Sequence, residues 1–510
     1  MFKHAFFYVF TFVLCSFLTS AQPHELQEVS QVTSFAMTKS GNPGEITGYI
    51  ALYKRAKSMK ENDIYGIDLM NANLEKTHSV KILIPLGASL ITSVFNDSVV
   101  GLMFYNPDKK HFLLKSYDLT LTERGSRTEK PKSEELSLLD MVHKEELPVP
   151  NYFFRIYPIP GGQGFVRAGF GETDEQYKIT CYDNNFKNKW SRGTKEDEPY
   201  IEFFSILDVS KQYVTGVSIR RKSMLSPKME HFLVVYDLEK GKKVLDVPVE
   251  RTEDKLTFSA AFLDDKTQTV LLQGEYWGQR EQPGINKSNG LFLKKFDLAT
   301  KKEVAEKVIP WTGEMSARLE PVAAKRLNEL AYHAAVAGAP LANGNTLLVL
   351  QQFKKTTGSV PPFLMVLGEK TPGLRIKTGH VLAVELNSRL ELVSAQILEK
   401  TPLERTLPPG TDIVGAPLLG HFAQNAIRSV TPFLQYNTTG QCTGVVLLDQ
   451  KNGQVDLCTV STDEQNKIRV IVSDMTTANP LSSQFLPSLT GRAMITEYWP
   501  SQFKCEFKIK

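Results

Sequence analysis

The residues best suited to contact a ligand lie together in one short segment, Glu275-Tyr276-Trp277-Gly278-Gln279-Arg280. The indole of Trp277 beside the polar side chains of this segment suits stacking on a sugar ring or clamping of a peptide. We therefore expect Tyr276, Trp277 and Arg280 to bind a ligand. The alternative is that Trp277 ends a strand and packs against a neighbouring sheet.

No segment of the sequence carries a catalytic or cofactor motif. The chain contains no Gly-x-Ser-x-Gly, no His-Glu-x-x-His, no Asp-x-Asp-x-Asp-Gly calcium loop and no phosphate-binding loop. Gly161-Gly162-Gln163-Gly164 joins two predicted strands and opens no helix, so it predicts a tight turn rather than a phosphate site. The nine His are scattered singly. We expect no catalytic residue, no cofactor and no metal ion, which favours a protein that is not an enzyme.

One segment, Phe154-Arg155-Ile156-Tyr157-Pro158, resembles the Phe-Arg-Ile-Pro signature of sialidases. In sialidases the Arg of this signature binds a substrate carboxylate, so the resemblance implies that role for Arg155. Tyr157 interrupts the signature here, and the Ser-x-Asp-x-Gly-x-Thr-Trp turn that sialidases repeat is absent from the sequence. We therefore interpret the segment as the innermost strand of a repeated sheet.

Residues 1–21 have the layout of an export signal. A basic start precedes the apolar run Ala5–Leu18, which is shorter than the ~20 residues that span a bilayer. Small residues then predict cleavage between Ala21 and Gln22. The Ser-Ala-Gln ending resembles signal peptides of exported Bacteroidota proteins, which implies a periplasmic or secreted location. We expect no transmembrane segment in the mature chain, residues 22–510.

Composition limits the partners of the mature chain. The whole chain has 60 Lys+Arg and 56 Asp+Glu, and the signal holds one Lys and no acid, which leaves a mature excess of +3. So small an excess gives no electrostatic case for binding nucleic acid or an anionic membrane. At 42% hydrophobic residues a packed core is feasible. We expect a monomer whose partner is an unidentified ligand or an envelope protein.

The cysteines of the mature chain are Cys181, Cys442, Cys458 and Cys505. They would allow two disulfides in three connectivities. If Asn452-Gly453 is a two-residue turn, Cys458 lies opposite Leu447, and Cys442 points to the other face of the sheet. This register disfavours a bond between Cys442 and Cys458. We therefore predict buried free thiols.

A strand–acid–turn pattern recurs along the chain. Its acids are Asp68, Asp118, Asp183, Asp237, Asp297, Glu385 and Asp449. An acid at a strand end can cap the amides of a following turn. Two further apolar strands precede most copies, which gives four antiparallel strands per unit. Such a repeat is typical of a β-propeller, with a pair of β-sandwiches as the alternative.

We predict an all-β fold in which residues 22–510 form a single propeller domain of about seven blades. Eight blades is the alternative, because Ile468–Val472, Ala493–Tyr498 and Phe503–Ile509 remain after the seventh copy. These strands could close the ring against Gln31–Met37 or build an incomplete eighth blade. The pattern resembles exported Bacteroidota-type propellers of no characterised family, since neither Trp-Asp pairs nor a kelch Gly-Gly pattern is present.

The long connections indicate where function resides. They are Glu123–Pro150, Arg221–Glu230, Gly278–Gly290, Pro310–Tyr332, Lys354–Gly379 and Thr401–Ala426. All of them join the second and third strands of a unit or join successive units, and such connections emerge at one end of a propeller. Short helices are predicted in two of them, beginning near Ser133 and at Pro321.

Long loops on a rigid scaffold commonly carry binding sites. We therefore predict an exported, non-enzymatic propeller that binds a ligand or partner through its long-loop face. The alternative is an envelope hydrolase or lyase with its site in the axial funnel of the same face.

Overall fold

The chain is a β-propeller of eight four-stranded blades. This confirms the predicted fold class, and eight blades is the count that the sequence analysis gave as its alternative to seven. The computed structural model describes residues 23–39, 42–132, 136, 155–171, 176–194, 198–223, 230–251, 253–281, 287–327, 329, 332–356, 375–402, 404–406, 433–451, 454–462, 468–475, 483–488 and 492–509. The proposed cleavage site between Ala21 and Gln22 lies outside these residues, as does most of the helix predicted near Ser133.

In blades 1 to 7 the four strands pair side by side in the order in which they occur along the chain. The first strand is β1 (His24–Gln27). Blade 1 consists of β2 (Val29–Lys39), β3 (Asn42–Arg55), β4 (Asn62–Asn71) and β5 (Lys76–Pro85). Blade 2 consists of β6 (Ser89–Phe95), β7 (Val99–Asn106), β8 (His111–Asp118) and β9 (Glu123–Glu129). Blade 3 consists of β10 (Ile156–Ile159), β11 (Gly164–Phe170), β12 (Tyr177–Tyr182) and β13 (Asn188–Gly193).

The next three blades repeat this order. Blade 4 consists of β14 (Ile201–Val209), β15 (Tyr213–Arg221), β16 (Glu230–Asp237) and β17 (Lys243–Pro248). Blade 5 consists of β18 (Asp254–Asp264), β19 (Thr269–Gly278), β20 (Gly290–Asp297) and β21 (Lys302–Pro310). Blade 6 consists of β22 (Tyr332–Pro340), β23 (Thr346–Thr356), β24 (Arg375–Leu386) and β25 (Leu392–Leu398), with β26 (Glu404–Thr406) paired to β24.

The last two blades complete the chain. Blade 7 consists of β27 (Phe433–Tyr436), β28 (Cys442–Lys451), β29 (Gln454–Thr462) and β30 (Ile468–Met475). Blade 8 consists of β31 (Ser483–Pro487), β32 (Ala493–Trp499), β33 (Lys504–Ile509) and β1. The chain divides into two compact units, of which the smaller holds blades 1 and 8 and the larger holds blades 2 to 7.

Blade 8 of the smaller unit pairs the two ends of the chain. β1 lies antiparallel to β33, with His24 opposite Phe507 and Gln27 opposite Lys504. Leu26 is 8% exposed and belongs to one apolar cluster with Phe507. The pairing strand is therefore β1, whereas Gln31–Met37, the segment considered for closure from the sequence, lies in β2 of blade 1.

The core of the larger unit lies between the faces of neighbouring blades. Leu291 and Ile309 of blade 5 share one apolar cluster with Leu350 and Val384 of blade 6. Inner strands are covered on both faces, and all eight residues of β7 are buried. This double coverage is why these strands are continuously apolar rather than alternating.

An Asp or Asn caps the turn between the third and fourth strands of blades 1 to 6. In each case its side-chain oxygen accepts a backbone N–H two or three residues later. The six caps are Asn71, Asp118, Asp183, Asp237, Asp297 and Asn387. The predicted capping chemistry is therefore correct, and four of the seven predicted acids perform it.

The other three acids of the predicted pattern do not lie at this position. Asp68 and Glu385 lie within β4 and β24, before the caps of those blades. Asp449 lies on β28, the second strand of blade 7, where its carboxylate accepts the backbone N–H of Thr401 at 3.1 Å. The seven acids are therefore not copies of one hairpin position. The pattern admitted only Asp and Glu, whereas Asn71 and Asn387 are the caps of blades 1 and 6.

The four cysteines are free and buried, as predicted. In the β28–β29 hairpin, Lys451 pairs with Gln454 and Leu447 lies opposite Cys458. The predicted register is thus correct. Gly161 and Gly162, with φ of 77° and 72°, lie between β10 and β11, which confirms that this segment is a tight turn.

Long connections of the larger unit join second to third strands or successive blades. They occupy residues 130–155, 222–229, 279–289, 311–331, 357–374 and 407–432, whereas the described turns from first to second and from third to fourth strands are short. In an antiparallel blade these two classes of connection emerge at opposite ends. We call the end of the larger unit that carries the long class the long-loop end.

Two of the predicted long connections contain regular secondary structure, a strand in one and a short helix in the other. The predicted connection Glu123–Pro150 begins with a strand, β9, whose polar sequence is half-exposed at the blade edge and carries no apolar signal. The helix predicted at Pro321 is present as α1 (Pro321–Arg326). It follows a turn at Trp311–Met315, in which Thr312 and Gly313 have non-helical backbone angles, and a short 3-10 helix, Ser316–Arg318. Another short turn, Pro500–Gln502, precedes β33. Across the described residues, no helix has the length and apolar character needed to cross a membrane.

Candidate functional site

The segment predicted to bind a ligand lies where β19 reaches the long-loop end. Trp277 is 0% exposed, Tyr276 is half-buried, and Arg280 is exposed in the connection that follows. Side chains alternate between the two faces of a strand, so Tyr276 and Trp277 point in opposite directions. The structure does not bring the three side chains together on one surface. The burial of Trp277 agrees with the alternative, in which this side chain packs within the fold.

Glu275, on the same strand, is a buried carboxylate shared by three neighbouring groups. Its Oε1 accepts the Ser288 hydroxyl at 2.6 Å and the backbone N–H of His333 at 3.0 Å, and His333 Nδ1 lies 3.2 Å away. Burial raises the pKa of Glu275, and the hydrogen bonds from His333 and Ser288 oppose that rise. Glu275 therefore ties β19 of blade 5 to β22 of blade 6 at their long-loop ends.

Trp311 completes this cluster in the connection between the two blades. Its Nε1 donates to Ser288 Oγ at 3.0 Å, and its ring centroid lies 4.5 Å from that of His333. His333 is 2% exposed, and its buried Nε2 has no hydrogen-bond partner among the described residues.

The Glu275–His333 pair has the order of a general-base couple. In such couples a carboxylate holds one imidazole nitrogen so that the other can accept a proton from a substrate or a nucleophile. Here Nε2 of His333 is buried among the described residues, so a substrate would need a local rearrangement to reach it. The cluster positions two blades.

Sequence reasoning missed this cluster for an identifiable reason. Glu275 lies in the segment predicted to bind a ligand, but its sequence neighbours there do not indicate a histidine partner. His333 lies 58 residues further on, at the start of the next blade. Only the blade repeat, aligned strand by strand, would have placed it beside Glu275.

A second buried ionisable group lies between blades 6 and 7. Lys400 is 5% exposed, and its ammonium donates to the backbone carbonyl of Leu448. Burial lowers the pKa of Lys400 to about 8, against which the negative charge of Asp449 acts. Folding therefore weakens the hold of this lysine on its proton.

The contribution of Lys400 to the stability of the protein should consequently rise between pH 8 and pH 10.5. In that window the unfolded chain, whose lysine pKa is 10.5, binds a proton that the folded chain has released, so higher pH favours folding. We expect a gain of roughly 3 kcal/mol from this residue. Urea unfolding at both ends of the window measures it. The rise in stability with pH should be absent from Lys400→Met and present in the exposed control Lys302→Met. Equal slopes of the unfolding free energy against pH in the wild type and both variants would contradict the assignment of this rise to Lys400.

The model of a family of unknown function matches this chain over residues 1–510, and no curated protein matches it. Among solved structures, an uncharacterised protein from Listeria monocytogenes EGD-e is similar at 10% identity and a TM-score of 0.33, with 92% of this chain and 90% of that chain covered. A cobalt-substituted Synechocystis ACO is similar at 10% identity and a TM-score of 0.33, with 90% of this chain and 94% of that chain covered.

Prolyl oligopeptidase B from Galerina marginata is similar at 8% identity and a TM-score of 0.39, with 92% of this chain covered. The chain spans 55% of the length of that structure. Similarity at these identities and TM-scores carries no argument about activity.

Proposed function

Because this chain belongs to DUF6770, a family of unknown function, we propose its role from its own architecture: an exported, non-enzymatic propeller that binds a ligand or partner at its long-loop end. One observation carries this proposal. The long connections of the larger unit all join second to third strands or successive blades, so they emerge together at one end. Binding residues concentrate on such loops when a rigid scaffold positions them.

The test compares the two ends of the same blade. A photo-crosslinking residue replaces Arg280, exposed in the long β19–β20 connection, or Lys266, exposed in the short turn between β18 and β19. Irradiation of the producing cells should give specific crosslinked products from position 280 and none from position 266. Equal products from the two positions, or products from position 266 alone, would contradict binding at the long-loop end.

The alternative of an envelope hydrolase or lyase has one supporting observation, the Glu275–His333 pair. Hydrolysis of p-nitrophenyl acetate by the purified protein measures it directly. Under our proposal the wild-type protein and His333→Gln should both match the uncatalysed rate. Turnover that is lost in His333→Gln but kept in the exposed control His78→Gln would replace the binding function by an enzymatic one.

Export is part of the proposal and rests on the signal-like residues 1–21. Cleavage before Gln22 would leave β1, which begins at His24, intact for pairing with β33. Protein purified from the envelope or medium of the producing cell should therefore begin at Gln22 or its cyclised form in N-terminal sequencing. An intact Met1 on protein from the cytoplasm would contradict export.

A further inference from the structure

A cleft of about 370 Å³ lies between the edge of blade 3 and the outer hairpin of blade 4. Its lining includes Arg192 of β13, Glu198 and Tyr200 before β14, and Lys240 and Lys242 of the β16–β17 turn. Small-molecule sites commonly measure about 300–1,000 Å³. The cleft runs along the side of the blades, so it goes beyond the function proposed for the long-loop end.

The charges at the base of the cleft are already paired. Glu202 is 2% exposed and accepts the hydroxyls of Ser218 and Thr194 and the Nε–H of Arg220, the last at 2.8 Å. Nη2 of Arg220 donates to both carboxylate oxygens of Asp246, at 2.8 and 2.9 Å. Buried charges satisfied in this way form a fixed base and are not available to a ligand.

The positive charges at the rim have no such partners. Arg192 donates to the backbone carbonyls of Gly241 at 3.1 Å and Ser191 at 2.8 Å, which hold its guanidinium in place without neutralising it. Within the described part of the chain, Lys240 and Lys242 make no ion pair or hydrogen bond through their ammonium groups. Unneutralised positive charge on a concave surface attracts anions.

The lining also offers hydrogen-bond acceptors. The carboxylate of Glu198 lies near the phenol of Tyr200, whose ring centroid lies 5.2 Å from the guanidinium carbon of Arg220. Burial raises the pKa of Tyr200 to about 12, so the phenol stays neutral. A bare phosphate would satisfy the rim cations but would leave the Glu198 carboxylate facing another anion. A ligand that carries both an acidic group and hydroxyl donors can pair with the rim cations and also donate hydrogen bonds to the Glu198 carboxylate.

From this arrangement we infer that the cleft binds an acidic saccharide, a chain of sugars that carries carboxylate groups. The carboxylate lies against Arg192, Lys240 and Lys242. The sugar hydroxyls donate to Glu198, and the ring of Tyr200 contributes an aromatic surface for the pyranose.

Calorimetric titration of the full mature chain with trigalacturonate tests this inference. Lys240→Gln/Lys242→Gln should weaken binding roughly tenfold, because two charge-assisted contacts are lost. The matched control is Lys301→Gln/Lys302→Gln, which removes two exposed lysines from the equivalent turn of blade 5 and should bind like wild type. Thermal unfolding of each variant verifies that the protein is folded.

Three further titrations separate the sources of binding. Glu198→Gln should weaken trigalacturonate binding and strengthen the binding of inorganic phosphate, because the repulsion between phosphate and the carboxylate is removed, and it also serves if the lysine pair fails to fold. Neutral galactotriose should bind at least tenfold more weakly than trigalacturonate. Absence of saturable trigalacturonate binding, equal binding of galactotriose, phosphate that competes at equal concentration, or an equal loss in the blade 5 control would each overturn the inference.

Discussion

Deleting residues 22–27 from the mature chain should make the smaller unit unfold at a much lower urea concentration. The deletion removes β1, whose residues pair with β33 from His24 opposite Phe507 to Gln27 opposite Lys504. Each lost backbone hydrogen bond costs about 0.5–1.5 kcal/mol, and losing the buried Leu26 costs about 1.5–3 kcal/mol. We expect a total loss of about 4–8 kcal/mol, which rivals the whole stability of many domains.

Two controls accompany this deletion. A chain that begins at His24 keeps β1 and should unfold like the mature chain. A synthetic peptide of residues 22–28, added to the deletion variant, should restore part of the loss because β33 then offers an unpaired edge. If the deletion variant unfolds at the same urea concentration as the mature chain, β1 does not hold blade 8 together.

Trp277→Ala should lower the free energy of unfolding by about 3–5 kcal/mol. The indole is 0% exposed at the end of β19, so truncation leaves a cavity that the surrounding blade fills only in part. Crosslinking from position 280 should be unchanged, because Arg280 is exposed and Trp277 is not. Urea unfolding and crosslinking yield, measured on the same preparation, separate the two roles of this segment.

The matched control is Trp499→Ala in the smaller unit. That indole is half-buried, with the ammonium of Lys504 5.6 Å from its ring centroid, and its loss should cost at most about 1–2 kcal/mol. A Trp277→Ala protein of normal stability that no longer gives the product at position 280 would show that Trp277 contacts the ligand.

Local chemistry was the part of the fold that could be predicted. Capping by Asp118, Asp183, Asp237 and Asp297 follows from how a carboxylate meets turn amides, and the period of these caps indicates the blades. The position of Cys458 opposite Leu447 follows from counting residues back from a two-residue turn. Each of these predictions needed only a short stretch of sequence.

The turns also contain a feature that a polarity pattern hides. Leu74, Leu121, Phe186 and Leu390 have φ between 57° and 65° and are buried, three residues after an Asp or Asn cap. Left-handed backbone usually favours glycine or asparagine. Here the apolar side chain fills the core and offsets that strain, so the turns of blades 1, 2, 3 and 6 share a cap followed by a buried apolar residue.

The candidate site was less predictable because its parts come from different blades. Glu275, Ser288, Trp311 and His333 meet only when blades 5 and 6 pack together. The rim of the cleft likewise joins Arg192 of blade 3 to Lys240 and Lys242 of blade 4. No local spacing encodes such neighbours, and burial of Trp277 depends on the same packing.

The pairing of β1 with β33 also makes the folding of blade 8 wait until the last of its strands has been synthesised. β1 is the first of the described strands to leave the ribosome, and β33, its partner in blade 8, is the last. Inner blades can form hairpin by hairpin as they emerge, but blade 8 stays incomplete until residues 504–509 have been made. A chain that lacks residues 504–509 would therefore leave β1 without its partner and expose one edge of β32, and proteases would distinguish it from the folded protein.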